Sequence, residues 1–406
     1  YFGSTSSRGF DKGDDNDGDN IANYVADHEV VVVKPDGYNR NQNEDYYLRP
    51  YNVSPVETQR QYPIYFPELV EYIDAHYKTI ADRDHRAISG LSMGGFMTFW
   101  IGGKYPHLVT AAGNFCGSTE FEIGPKDTPV EYRHMDMYKN YQGMNLRLNY
   151  GNKDFIRCYH LDMNKIWTQV MDNYEYKIYE AAHSTCGMEE MFDFLMESFE
   201  NPPGKPQKWH HTDVYPGFSV WGYEIGSDRI VPGFTILENV SKRGFRCSVR
   251  EFLPDGELMP FVDLSITTGP VYEKNQEYLI NDIDYHKGSS SQHVIKSNGE
   301  GQLTLYIDGG LHEIGITRVN DPPEICIASW DIQNMGWATA KKDVGISVKL
   351  MNKGGSPARG VKARLQPTRE SAGVIQETSS YGSIAVNELK EPDQAFTFLV
   401  QVDTIE

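Results

Sequence analysis

The stretch Gly90–Gly95 (Gly-Leu-Ser-Met-Gly-Gly) constrains the fold more than any other part of the chain. An apolar run before it, residues 86–89, predicts a buried strand, and residues 96–101 after it predict a helix. A serine at such a strand-to-helix turn has an exposed hydroxyl, and the flanking glycines keep the strand and the helix from colliding. Ser92 is therefore predicted to be a nucleophile, with the backbone N–H of Met93 as one donor to an oxyanion. The alternative is an ordinary glycine-rich turn.

A serine nucleophile needs a base, and the base needs an orienting acid, in the chain order serine, acid, histidine. Residues 145–150 predict a strand that is followed by Asp154, and residues 174–180 predict the next strand, which is followed by His183. Of 12 histidines, His183 is the only one on a loop after a predicted strand at the right point in this order. We predict that Ser92, Asp154 and His183 form a catalytic triad. Two nearby carboxylates remain alternatives for the acid: Asp162 and Glu180.

Residues 1–200 resemble the esterase D-like family of putative esterases, which includes feruloyl esterases, acetyl-xylan esterases, S-formylglutathione hydrolases and mycolyltransferases. The resemblance is carried by three stretches: Val30–Gly37, Glu68–Asp74 and Ile80–Gly95. It implies an α/β-hydrolase fold in which Ser92, Asp154 and His183 are the triad. We expect no cofactor and no metal ion.

The chain departs from this family at its first residues. Family members usually have a His-Gly pair at the end of an earlier strand, where it builds the loop of the second oxyanion donor. Here the sequence opens with Tyr1-Phe2-Gly3-Ser4, so Phe2 replaces the usual histidine, and we expect the second N–H donor near Gly3 or Ser4. We also expect the first strands of the sheet to be lacking, with an earlier segment or a partner chain completing the sheet.

The hydrophobic pattern changes after a Pro- and Gly-rich segment at residues 200–206. Short alternating segments separated by turn signals predict a β-sandwich over 208–318. A further β region over 324–406 resembles bacterial extracellular immunoglobulin-like modules of the CARDB type, through residues 344–350 and the glycine-containing turn that follows them. The predicted organisation is an α/β-hydrolase domain at 1–200 followed by two immunoglobulin-like sandwiches.

Two groups of residues have two interpretations each. Aromatic residues in the first β region either stack on sugar rings or fill the sandwich core; they are Trp209, Tyr215, Trp221 and Tyr223. The insertion at 117–143 is either a wall of the substrate site or a surface loop with its own packing. Its candidate contact residues are Glu120, Phe121, Tyr132, His134 and Tyr138.

Five cysteines do not make a disulfide scaffold, and their odd number leaves at least one thiol unpaired within the chain. Cys158 follows Asp154 by four residues, and Cys186 follows His183 by three. Because the triad would bring both loops together, one interpretation is a Cys158–Cys186 disulfide, and the other is two unconnected buried thiols. Cys116 gives no further signal.

Composition excludes several classes of partner. The net charge of −19 argues against nucleic acid, because a binder needs a basic surface that faces the phosphates, and no apolar run approaches the ~18 residues of a membrane-spanning helix. We therefore expect neither a nucleic-acid partner nor membrane insertion. The multi-module architecture implies a secreted or surface-attached bacterial protein.

Together these features predict a serine esterase that hydrolyses feruloyl or acetyl esters on plant cell-wall polysaccharide through an acyl-enzyme. One alternative is an acyltransferase on the same triad, in which a sugar hydroxyl replaces water. The other is a non-catalytic carbohydrate-binding or adhesion protein on a degenerate hydrolase scaffold.

Overall fold

The computed structural model describes residues 17–35, 62–123, 130–318, 321–333, 343–367 and 372–400. Its helices are α1 Asp17–Asp27, α2 Tyr62–His76, α3 Met93–Lys104, α4 Arg157–Val170 and α5 Met188–Glu200. Shorter 3₁₀ segments cover Arg83–His85 and His134–Tyr141. Among the helices of these ranges, none has the length and apolar character needed to cross a bilayer.

In the described residues of the N-terminal part, a parallel four-stranded sheet lies at the centre. The strands of this part are β1 Ala87–Leu91, β2 Ala111–Phe115, β3 Glu120–Ile123, β4 Val130–Arg133, β5 Asn145–Gly151 and β6 Tyr174–Tyr179. The sheet order is β1-β2-β5-β6, whereas β3 and β4 form a separate antiparallel hairpin. Helix α3 follows β1, α4 follows β5 and α5 follows β6, which is the strand–helix alternation expected for a parallel sheet. The α/β-hydrolase-like expectation for this region is confirmed.

The register of the sheet brings the carboxyl ends of its strands to one edge. Leu91 pairs with Phe115, and Phe115 pairs with Asn149. Gly151 pairs with Tyr179. Loops that follow these positions therefore lie side by side, as they do at ligand sites of α/β proteins.

Helix α3 is the most buried helix of this region, because all its residues from Gly94 to Lys104 are buried. Its large side chains pack with others from β5 and α4 into a core in which burial of each contributes about 1.5–3 kcal/mol. Fully buried members of this core are Phe96, Phe99, Trp100, Leu146, Leu148 and Trp167. The turn that precedes α3 is consequently held by a rigid element.

The C-terminal part consists of strands. They are β7 Trp209–Asp213, β8 Phe218–Val220, β9 Tyr223–Ser227, β10 Phe234–Ser241, β11 Gly244–Arg250, β12 Asp263–Thr267, β13 Glu277–Asp284, β14 Ser289–Lys296, β15 Thr304–Asp308, β16 His312–Thr317, β17 Ile325–Ile332, β18 Asp343–Asn352, β19 Ala358–Arg364, β20 Ala372–Gln376, β21 Thr378–Ile384, β22 Leu389–Lys390 and β23 Phe396–Val400. The expected richness in antiparallel sheets is confirmed, while the division into immunoglobulin-like domains stays a prediction.

Contacts divide the chain into two compact units. The first runs to residue 239 and includes 247–269 and 304–310; within it, β12 pairs antiparallel with β9 and β15, and β8 pairs with β9. In the second unit, β13 pairs with β14 and β16, and β18 pairs with β17, β22 and β23.

The aromatic residues of the first β region belong to the core, which decides between their two interpretations. Each of the four is at most 9% exposed: Trp209, Tyr215, Trp221 and Tyr223. Trp209 makes an edge-on ring contact with Tyr223, with the ring centroids 5.2 Å apart. None of these faces is available to stack on a sugar.

A buried ion pair joins α3 to β7 within the first unit. Lys104 Nζ lies 2.6 Å from Asp213 Oδ2, and both side chains are at most 5% exposed. The ammonium also lies over the Tyr215 ring at 4.3 Å, and His211 Nε2 lies 3.4 Å from the same carboxylate oxygen. Lys104 and Asp213 therefore compensate each other's charge where water does not reach.

Candidate active site

Ser92 occupies a strained turn between β1 and α3. Its backbone has φ 58° and ψ −117°, a conformation that L side chains rarely adopt and that costs about 1–3 kcal/mol. The Ser92 N–H donates to the Phe115 carbonyl at 2.9 Å, and the Ser92 carbonyl accepts from the Phe96 N–H at 3.0 Å. These bonds to the neighbouring strand and to the helix hold the serine in the strained conformation that sequence reasoning predicted.

Close packing explains why glycines flank the serine. A Cβ atom at Gly90 would lie 2.6 Å from the carbonyl carbon of Gly94, so position 90 has no room for a side chain between strand and helix. At Gly95 a Cβ would collide with Asn114 Oδ1 and would lie 2.7 Å from the Gly117 Cα. The glycines let the first turn of α3 approach β1 and the loop after β2.

Asp154 and His183 form the acid–base pair predicted from the sequence. His183 Nδ1 lies 3.0 Å from Asp154 Oδ1, which also accepts the Ile156 N–H at 3.0 Å. Asp154 is fully buried, whereas the His183 side chain is 20% exposed. With Nδ1–H directed at the carboxylate, Nε2 is the ring nitrogen left to accept a proton.

The environment of Asp154 keeps its carboxyl group ionised. Burial by itself raises the pKa of Asp154, but the Cys116 thiol, the Ile156 N–H and the His183 ring together hold that pKa below its usual value. A buried carboxylate next to an imidazole orients the ring and stabilises its protonated form. This is the electrostatic arrangement of an acid that serves a histidine base.

Backbone bonds tie the acid loop to the histidine loop. The Asn152 N–H donates to the Tyr179 carbonyl at 2.8 Å, and the Lys153 N–H donates to the Ala181 carbonyl at 3.0 Å. His183 Nδ1 contacts Asp154 and neither of the alternative acids. Asp162 and Glu180 are both exposed, and Glu180 pairs with Lys153.

The sheet brings the predicted catalytic residues to one edge. Ser92 follows β1, Asp154 follows β5 and His183 follows β6. Within the described ranges, the Ser92 hydroxyl makes no hydrogen bond, so the structure joins His183 to Asp154 but not to Ser92. Such catalytic bonds are often long before substrate binds. The triad as a whole stays a prediction.

The oxyanion donors are described in part. Met93 is the first residue of α3, so its N–H has no acceptor within the helix and is available beside Ser92. The second donor was expected near Gly3 or Ser4, and both lie outside the described residues.

Of the two interpretations of Cys158 and Cys186, the disulfide is wrong, and the thiols are unconnected, although Cys158 is not buried. All five cysteines are free, and Cys158 is exposed on the first turn of α4. Because helix formation begins at Arg157, the Cys158 side chain is directed to solvent, whereas Cys186 packs against the hydrophobic core.

Sequence reasoning missed Cys116, which lies next to the acid–base pair. It follows β2 with φ 49°, is fully buried, and its thiol donates to the Ser184 carbonyl at 3.3 Å. The signal in the sequence was its position directly after a strand of the parallel sheet, at the edge where Asp154 and His183 also lie.

The insertion at 117–143 packs mainly on the protein itself. Tyr132 and His134 are buried, and both rings contact Phe96. Burial lowers the pKa of His134 to about 3, so the ring is neutral. Phe121 also contacts Phe96, which favours the interpretation of this segment as a loop with its own core.

Phe155 is an aromatic residue next to the predicted base, His183. Its ring centroid lies 4.6 Å from that of His183, and the side chain is 75% exposed. The phenyl ring is thus an exposed apolar surface in contact with the predicted base. Phe155 directly follows Asp154, so it could have been found from its place in the sequence.

Part of the chain is similar to a known protein family and to several solved structures. Residues 17–186 match the model of the family described as Putative esterase, which confirms the expected family resemblance. Solved structures similar to this chain include the S-formylglutathione hydrolase FrmB of Staphylococcus aureus, with 17% identity, coverage of 44% of this chain and 76% of that chain, and a TM-score of 0.33. A CE1 ferulic acid esterase of Anaeromyces mucronatus has 21% identity, coverage of 44% and 69%, and a TM-score of 0.31.

Proposed function

Because residues 17–186 match the putative esterase family, we propose that this chain is a serine hydrolase of carboxylic esters with Ser92 as nucleophile, His183 as base and Asp154 as acid. The observation that carries the proposal is the strained Ser92 at the edge of the sheet where the buried Asp154 is paired with His183. A serine without these partners has no means of losing its proton at neutral pH.

The reaction follows from the position of each group. His183 Nε2 takes the proton from Ser92 Oγ as the oxygen attacks the ester carbonyl, and Asp154 stabilises the imidazolium that forms. The Met93 N–H donates to the oxyanion; removal of such a donor typically costs about 3–4 kcal/mol of transition-state stabilisation. The imidazolium then protonates the leaving alcohol, and water releases the acid from the acyl-enzyme through the same base.

We propose that the substrate is a feruloyl or acetyl ester of plant cell-wall polysaccharide. The exposed Phe155 ring in contact with His183 supports an aromatic acyl group, because offset or edge-on ring contacts add about 0.5–1.5 kcal/mol to binding. Acyl transfer to a sugar hydroxyl is the second candidate, since the same groups would activate that hydroxyl in place of water.

Several further features belong to the proposal. They are a secreted or surface-attached location, immunoglobulin-like folds of the β regions, and a second oxyanion donor near Gly3 or Ser4. In the described residues, β1 is at the edge of its sheet, and a cavity of about 560 Å³ lined in part by Val30–Val33 lies next to it. This space supports completion of the sheet by an additional segment or a partner chain.

The test is hydrolysis of p-nitrophenyl acetate and methyl ferulate by the wild type and by Ser92→Ala. The matched control is Ser219→Ala, an exposed serine in β8. We expect turnover that is lost in Ser92→Ala and retained in the control, and the ratio of the two rates gives the acyl preference. Addition of a xylo-oligosaccharide, followed by product analysis, separates hydrolysis from transfer. A folded wild type that turns over neither ester favours a non-catalytic scaffold.

A further inference from the structure

Three side chains with different metal-binding atoms meet at the acid–base pair. The Cys116 sulfur, a carboxylate oxygen of Asp154 and a ring nitrogen of His183 all lie within 4.8 Å of one another. Thiolate, carboxylate and imidazole are the ligands that Zn²⁺ takes in proteins, and in a tetrahedral site their atoms are about 3.5 Å apart. Small side-chain shifts would bring the three atoms to that spacing.

One oxygen of the carboxylate is left to bind an ion. Asp154 Oδ1 accepts from His183 and from the Ile156 N–H, while Asp154 Oδ2 is buried, has the Cys116 thiol as a neighbour of its carboxyl group, and makes no hydrogen bond within the described residues. A buried anionic oxygen without a donor is costly, and coordination of a cation would satisfy it.

Cys186 is outside the group of three side chains that meet within 4.8 Å, and it is the thiol that could move in as a fourth ligand. Cys186 lies on the histidine loop, packs against the same core as Cys116 and is partly exposed. The two thiols are neighbours that interact with each other. Because His183 and Cys186 are both partly exposed, an ion can reach the cluster from solvent.

We propose that Cys116, Asp154, His183 and Cys186 bind a thiophilic divalent cation such as Zn²⁺, and that the bound ion inhibits the hydrolase. The sequence analysis expected no metal ion, and this proposal departs from that expectation. The inhibitory part rests on the proposed function, whereas the binding part does not.

The expected inhibition follows from the proton balance. His183 faces Asp154 through Nδ1, so an ion bound at Nδ1 requires the proton to move to Nε2. A ring with its proton on Nε2 cannot accept the proton of Ser92. The two thiols each release one proton to solvent when they bind as thiolates, and no oxidant or reductant takes part.

Cobalt provides a direct test of binding that is independent of activity. We would titrate the reduced protein with Co²⁺ and record the thiolate-to-cobalt charge-transfer absorption, then displace the Co²⁺ with Zn²⁺. We expect this absorption in the wild type and in the control Cys158→Ser, whose thiol is exposed on α4. We expect a weaker band in Cys116→Ser and in Cys186→Ser, because each keeps only one thiolate ligand.

Zinc titration of p-nitrophenyl acetate hydrolysis tests inhibition. We expect the wild type and Cys158→Ser to lose activity as Zn²⁺ is added and to regain it with a chelator. Cys116→Ser and Cys186→Ser, each compared with its own zinc-free rate, should need at least about tenfold more Zn²⁺, equivalent to about 1.4 kcal/mol.

The results separate this inference from the proposed function. A cobalt spectrum without the thiolate band, or one that is equal in wild type and Cys116→Ser, overturns the metal site. Should Cys116→Ser fail to fold, the half-buried Cys186→Ser gives the same comparison. A protein that shows the thiolate band but hydrolyses no ester confirms the binding and refutes the proposed function. Activity that is insensitive to zinc in a protein with the thiolate band overturns the inhibition.

Discussion

Replacement of Asp154 by asparagine tests how the acid supports the base. Oδ1 accepts both from His183 Nδ1 and from the Ile156 N–H, so the amide oxygen of the introduced asparagine can keep both bonds. The amide NH2 then takes the position of the buried Oδ2, which has no partner within the described residues. The substitution therefore preserves the orientation of the ring but removes the charge that stabilises the imidazolium.

The magnitude follows from the distance between the charges. Two unit charges roughly 4 Å apart interact by about 4 kcal/mol at an effective dielectric constant of 20. Since each 1.36 kcal/mol is a factor of ten in rate, we expect kcat to fall by about 10³. The unpaired amide adds a stability cost of about 1–3 kcal/mol.

The assay is steady-state hydrolysis of p-nitrophenyl acetate by Asp154→Asn, with kcat and KM measured separately and folding checked by urea denaturation. The matched control is Glu180→Gln, because Glu180 is an exposed carboxylate on the histidine loop. We expect kcat to fall and KM to change little in Asp154→Asn, and neither to change in the control. The reasoning is refuted by an Asp154→Asn enzyme that keeps more than about a tenth of the wild-type kcat, or by an equal loss in Glu180→Gln.

Three further predictions concern packing and substrate contact. Lys104→Met leaves Asp213 buried without its cation, so the free energy of unfolding, measured by urea denaturation, should fall by about 3–5 kcal/mol. The double variant Lys104→Met, Asp213→Leu should recover most of this loss, and no recovery contradicts the prediction. Gly95→Ala should cost about 1–3 kcal/mol of stability and reduce kcat, because its Cβ collides with Asn114. The control Gly204→Ala, whose Cβ meets no atom, should change neither quantity. Equal effects of the two substitutions refute the packing argument. Phe155→Ala should raise the KM for methyl ferulate about fivefold, which corresponds to the loss of about 1 kcal/mol of ring contact, and leave the KM for p-nitrophenyl acetate unchanged. Michaelis–Menten measurements in which KM changes equally for both esters contradict this prediction.

The local parts of the site were predictable from the sequence because short-range rules determine them. Strand, glycine-flanked serine and helix are adjacent in the chain, and the structure places β1 at Ala87–Leu91 and α3 at Met93–Lys104 around Ser92. The prediction of Asp154 and His183 used only their positions after strands, since all parallel strands end at one edge.

Contacts between distant segments were not predictable. Cys116 and Cys186 are 70 residues apart, and nothing in either sequence neighbourhood indicates that both thiols contact the same core. The Cys158–Cys186 pairing failed because loop proximity was inferred without the helical turn that directs Cys158 outward. Tyr132 is buried because β3 and β4 pair as a hairpin. Each of these strands has only four residues, and hydrophobic alternation over so short a segment does not predict which strand it pairs with.

The most direct test of the central claim is labelling with a fluorophosphonate probe, followed by mass-spectrometric mapping of the modified residue. Only an activated serine reacts with such a probe, so the measurement reports the nucleophile without requiring the natural ester. We predict modification of Ser92 in the wild type, none in Ser92→Ala, and a large loss in His183→Ala. A folded wild type that is not modified at Ser92, or that is modified equally without His183, would contradict the assignment of this chain as a serine hydrolase.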